Sequence, residues 1–96
     1  MSEQPTHETG LWEIGQTYLI RTVTMTLTGL LVHVSEHELG LTYAAWIADT
    51  GRYADAVATG SFAEVEPYPD GRTVIVGRGA VIDAVIVDFD LPREQI

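Results

Sequence analysis

The sequence predicts an all-β fold with one short inserted helix, a small and strongly bent barrel, and three observations carry that expectation. Polar and apolar residues alternate with a period of two through "TYLIRTVTMTLTG" and again through Leu39, Leu41 and Tyr43. Turn residues punctuate the chain at short intervals, at Gly29, at Pro69-Asp70-Gly71 and at Gly77-Arg78-Gly79. The third observation is size: 96 residues make one domain that leaves much apolar surface only partly covered, so association with further copies is expected.

Residues 1–10 are polar, with Pro5 and Gly10, and read as a flexible tail. From Leu11 the pattern changes. Val23, Met25 and Leu27 fall on one face and Thr22, Thr24, Thr26 and Thr28 on the other, which predicts a strand with one wet face. Gly29 marks a bend, "LLVHV" resumes extended structure, and after Ser35-Glu36-His37-Glu38 the alternation returns, giving a meander of three strands. "AAWIADTGRYADAVATG" is Ala-rich, with Asp49 or Thr50 as N-cap and Gly60 as a stop, and predicts a helix near 51–59. Its length makes it an insertion, not a core layer. "FAEVEP" is a further short strand, and Thr73–Val87 gives two apolar strands hinged at a tight Gly-Arg-Gly turn that needs glycine at Gly79. The expected organisation is a tail over 1–10, a barrel over 11–91, and a C-terminal tail over 92–96 that leaves the sheet.

With 14 acidic residues against five arginines and no lysine, the formal charge is −9. That opposes binding to phosphate backbones and anionic membranes, so neither DNA nor a membrane is expected as a partner. No cysteine is present, which excludes a disulfide framework and a thiolate zinc site. The N-terminus shows no basic region followed by an apolar run, and no stretch approaches the roughly 20 apolar residues of a membrane span. A cytoplasmic chain is expected.

Val81–Val87 is apolar on both alternating faces except at Asp83, where an isolated meander would show one polar face. That strand is either covered on both sides or meets another subunit. At this point the chain resembles the Sm-like (LSm) family of ring-forming small barrels. "TMTLTGLLVHVSEHELGLTYAA" follows the family's first block, with Gly29 at its glycine and Leu39, Leu41 and Ala44 at its apolar and alanine positions. "VIVGRGAVIDAVIV" follows the second, with Arg78 and Gly79. The resemblance spans about residues 17–45 and 73–87 and is strongest to an unusual branch of suspected bacteriophage origin. It implies a closed homo-oligomeric ring of roughly five to seven subunits. In such a ring the strand before Arg78-Gly79 pairs with the strand after it in the neighbouring subunit. The interface residues on those strands are then Val74, Val76, Val81, Val85 and Val87.

The family also implies an RNA site, for which His37, Arg78 and Gly79 are the matching positions. Against it, Glu38 or Leu39 stands where the family has asparagine, Ala80 follows Arg-Gly, and Glu36 and Glu38 add negative charge. Arg78 is instead expected to pair with a carboxylate, Glu38 or Asp83. "HVSEH" matches the H-x-x-E-H spacing of helical zinc sites at His33, Glu36 and His37, but in a β context. "GRGAVI" lacks the third glycine and the helix of a dinucleotide fingerprint. Asp83, Asp88 and Asp90 read as solubilising acids on a strand, and Trp12, Trp46, Tyr18 and Tyr43 as core and subunit-contact residues. No catalytic residue, metal or cofactor is assigned. The expected function is a non-enzymatic ring acting in assembly or protein interaction, with RNA binding through Arg78 at the pore as the alternative.

Overall fold

The alternation across Thr17–Thr28 belongs to two strands, because Thr22 builds a turn in its middle. Its hydroxyl accepts the N–H groups of Thr24 (3.3 Å) and Met25 (3.1 Å) and donates to the Met25 carbonyl (3.0 Å), while the Thr22 N–H donates to the same carbonyl (2.7 Å). A threonine that satisfies the backbone locally supplies a turn that periodicity does not show. In the computed structural model, which describes residues 10–96, β1 is therefore Thr17–Thr22 and β2 Thr26–Val34. Of the face expected to be wet, Thr24 is exposed and Thr22 and Thr26 are partly so, but Thr28 departs from it and is fully buried.

The chain continues through β3 (Glu38–Asp49), α1 (Tyr53–Thr59), β4 (Glu64–Pro67), β5 (Val74–Gly77), one 3-10 turn (Arg78–Ala80) and β6 (Val81–Ile86). All strand pairs are antiparallel, in the order β4-β3-β2-β1-β6, and β5 pairs with the first part of β3 while β4 pairs with its last part. One sheet of six strands thus curls on the long β3.

Bulges make it curl. Between the pairs Thr28↔Ala45 and Leu30↔Thr42, the single residue Gly29 faces both Tyr43 and Ala44, and Tyr43 takes a left-handed φ of 50°. Further irregularities leave Val32 on β2 and Ile82 on β6 as extra residues, and each bends its strand. The bend read at Gly29 is therefore present, inside one continuous strand.

The curl encloses two apolar clusters. Tyr18, Ile20, Leu27, Leu31, Leu39 and Leu41 lead the first, and Leu19, Ile47, Ala56, Phe62, Val65 and Val87 the second. Helix α1 forms at the predicted place, ended by Gly60 in the left-handed conformation with its N–H on the Ala56 carbonyl (2.8 Å). Two details differ from expectation. Its N-cap is Arg52, because Asp49 is spent on the Gly51 N–H (2.8 Å) one step earlier. The helix also closes a core layer, with Ala56 fully buried and Tyr53 and Val57 packed on the second cluster.

The segment from residue 92 does not leave the sheet. Ile96 exchanges backbone hydrogen bonds with Val65 of β4 (3.1 and 3.4 Å), and Arg93 donates to the carbonyls of Ala44 and Tyr68 and pairs with Asp70. Of the expected tail over 1–10, residues 1–9 lie outside the described residues.

Candidate functional site

The three residues read as an RNA-contact set meet at one end of the sheet, where the β2–β3 turn touches the 3-10 turn. Ser35 shapes the first, its N–H donating to the Glu38 carbonyl (2.9 Å) and its hydroxyl accepting the Glu38 N–H (3.3 Å). Arg78 then joins the two turns: its N–H donates to the His37 carbonyl (2.9 Å) and its Nη1 to the Ser35 carbonyl (2.6 Å). The expected carboxylate partner is overturned. Among the described residues Arg78 makes no ion pair, and its guanidinium serves as a clasp on backbone carbonyls. The His37 ring, 86% exposed, lies 3.7 Å from the Glu36 carboxylate, so the rim it shares with Arg78 carries acids beside the imidazole.

Gly79 also departs from expectation. It has no left-handed φ, and an added Cβ there meets nothing within 4 Å. The turn between β5 and β6 closes as a 3-10 step that other residues adopt, so glycine is not required of it.

Asp83 is claimed by Arg21, which faces it across the β1–β6 pair. The guanidinium Nε donates to Oδ1 (2.8 Å) and Nη2 to Oδ2, a two-pronged pair, and the same guanidinium lies 4.4 Å over the Tyr53 ring of α1. The hydrogen bonds from Arg21 hold the Asp83 carboxyl below the usual carboxylate range, and the partial burial that opposes them is the smaller influence. A carboxyl whose folded-state pKa is depressed contributes stability above the unfolded value and loses it as the pH falls through the folded one. Both side chains are about two-fifths exposed, 41% and 43%, so the contribution is small. Asp83→Asn is expected to lower urea-unfolding stability at neutral pH and to make a smaller difference near pH 2, well below the usual carboxylate pKa of about 4. An equal loss at both pH values would show that the pair acts through packing.

The valines assigned to a subunit interface face inward. Val76 and Val87 are buried in the two clusters, and Val74, Val81 and Val85 are partly buried against them. The apolar side chains that these strands turn to solvent are Ile75 (69% exposed), Ile82 (63%) and Ile86 (51%). A period-two reading could not choose between the faces, because both are apolar; the bulge at Ile82 decides which residues point out. Beside β6, Leu11, Trp12 and Ile86 line a largely apolar hollow of about 590 Å³ that reaches Arg78. The outer edges of β5 and β6 carry no paired strand among the described residues.

Of the aromatic residues, Tyr18 is buried with Trp12 tilted against it at 5.0 Å, whereas Tyr43 and Trp46 are half exposed. His33 lies on β2 opposite Gly40, and no group of three or more potential metal ligands occurs among the described residues. No helix among them is long and apolar enough to cross a membrane. Comparison with known proteins finds no matching family model, no matching curated protein and no matching solved structure.

Proposed function

We propose that the chain is a non-enzymatic, Sm-like subunit of a closed homo-oligomeric ring of roughly five to seven copies, acting in assembly or protein interaction. The observation that carries this reading is the pair of edges, β5 and β6, that are unpaired among the described residues, with exposed Ile75 on one and Ile82 and Ile86 on the other. Two different edges that complement each other give a head-to-tail contact, and repetition of such a contact either closes a ring or grows a filament. Pairing β5 of one copy with β6 of the next leaves neither strand open and covers the isoleucines. The 3-10 turn that joins β5 to β6 is held to the β2–β3 turn by the Arg78 bonds to the Ser35 and His37 carbonyls.

Native mass spectrometry tests this directly. Wild type is expected as a single closed oligomer, and Ile75→Asp or Ile86→Asp, each at an exposed position, is expected to dissociate at more than about tenfold higher chain concentration. A wild-type monomer at micromolar concentration would overturn the reading. The juxtaposition of His37 with Arg78 favours the second reading, a ring that contacts single-stranded RNA at this rim, whereas Glu36, Glu38 and a charge of −9 per chain oppose it. Oligouridine is accordingly expected to bind weakly at physiological salt; tight binding that Arg78→Ala abolishes would establish the second reading instead.

A further inference from the structure

Trp46 leaves 43% of its surface in solvent, and an indole held open on a small domain is unusual enough to ask what covers it. Together with Met25 it forms the wall between two hollows. One, of about 450 Å³, is bounded by Thr22, Thr26 and Ile82; the other, of about 250 Å³, by Pro67, Tyr68 and Pro69. The result is an aromatic ridge with a shallow pocket on each side.

The rim is acidic. Glu66 on β4 stands opposite Trp46 in the strand register, its carboxylate oriented by the Gln95 amide (2.8 Å), and Glu64 stands opposite Asp49 further along the same pair. The neighbouring cations are engaged, Arg21 with Asp83 and Arg93 with Asp70. An occupant must therefore be apolar, ring-shaped or rigid enough to fill two shallow pockets across a ridge, and positively charged. A nucleobase would stack on the indole, but it brings phosphates that this rim repels. A polyproline helix meets each demand: with three residues per turn it sets successive proline groups on either side of an aromatic ridge, and its stiffness leaves little entropy to lose. We propose that the Trp46 ridge docks a proline-rich peptide carrying arginine or lysine, its cation on Glu66. The larger hollow shares Ile82 with the proposed ring contact, whereas Trp46, Met25 and the smaller hollow lie outside that contact.

Fluorescence anisotropy with a labelled proline-rich peptide carrying arginine at both ends tests it, beside the same peptide with glutamate in place of arginine. The arginine peptide is expected to bind at least about tenfold more tightly than the glutamate peptide, and Trp46→Ala to weaken it by a similar factor. Glu66→Gln, at an exposed position where the amide oxygen can still accept the Gln95 hydrogen bond, is expected to shrink the preference for arginine to about threefold or less. No binding of the arginine peptide would overturn the proposal. So would binding that Trp46→Ala leaves intact, or a Glu66→Gln variant that keeps the full preference. Competition by oligouridine at physiological salt would assign the ridge to nucleic acid and overturn it as well.

Discussion

Gly29→Val is expected to lower the unfolding free energy by about 3 kcal/mol and Tm by roughly 15 °C for a domain of this size. Gly29 sits inside β2 at the bulge opposite Tyr43 and Ala44. A Cβ there would lie 2.9 Å from the Leu41 Cβ and 3.2 Å from its Cδ1. Leu41 is fully buried, and its Cβ is fixed to the β3 backbone, so the overlap cannot be relieved by a rotamer change. Relief requires β2 and β3 to separate, and these strands share the longest pairing in the sheet. Leu41→Ala keeps the offending Cβ and should not rescue the variant. Leu41→Gly removes it, so the double variant should be less destabilised than the sum of the two single ones. Urea unfolding at fixed chain concentration measures all of these, and a Gly29→Val protein melting within a few degrees of wild type would refute the close approach.

Much of the fold was legible because local chemistry and tertiary packing agree. Helix α1 has its alanines and its terminal glycine, and Gly60 ends it as its sequence position implies. The two apolar runs around Gly77-Arg78-Gly79 are β5 and β6, and the bend at Gly29 is real. Where the reading departed, a non-periodic interaction won. The threonine alternation from Thr22 to Thr28 looks like one strand because a side-chain hydrogen bond, invisible to a period count, turns the chain at Thr22–Met25. The last residues return to the sheet through Arg93 and a backbone pair at Ile96, and nothing in their polar composition signals that.

At the Arg78 turn, the residues singled out in the sequence lie together, but the partners expected of them differ. His37 and Arg78 do meet, yet Arg78 binds carbonyls, and carbonyls leave no trace in a list of charged residues. Arg21 and Asp83 lie 62 positions apart and find each other only through the β1–β6 register. Likewise the sequence marks Thr73–Val87 as apolar on both sides without showing which side the core takes. Three isoleucines, not the valines, are left facing solvent. Trp46 and its two hollows had no sequence signal at all, since a tryptophan within an alternating apolar run normally reads as core.

Gly60→Val is expected to cost about 3 kcal/mol, combining backbone strain with overpacking, whereas Gly79→Val should cost under about 0.5 kcal/mol. The tight-turn reading of Gly77-Arg78-Gly79 places the demanding glycine at Gly79, and the geometry moves it to Gly60. Gly60 holds φ at 76°, where a β-branched residue is disfavoured, and an added Cβ would lie 2.6 to 3.0 Å from three ring atoms of Phe89. That ring packs edge-on against Phe62 at 5.8 Å, so moving it disturbs the second cluster. The consequence reaches further, because α1 carries Tyr53, over which Arg21 holds the Asp83 of β6. Loosening the end of α1 should therefore also speed amide exchange along β6, the strand whose free edge the proposed ring would use. Urea unfolding and hydrogen exchange on wild type, Gly60→Val and Gly79→Val make the comparison. If Gly79→Val proves the more destabilised and exposes β6 while Gly60→Val does not, the glycine that shapes this edge is the one in the Arg-Gly turn after all.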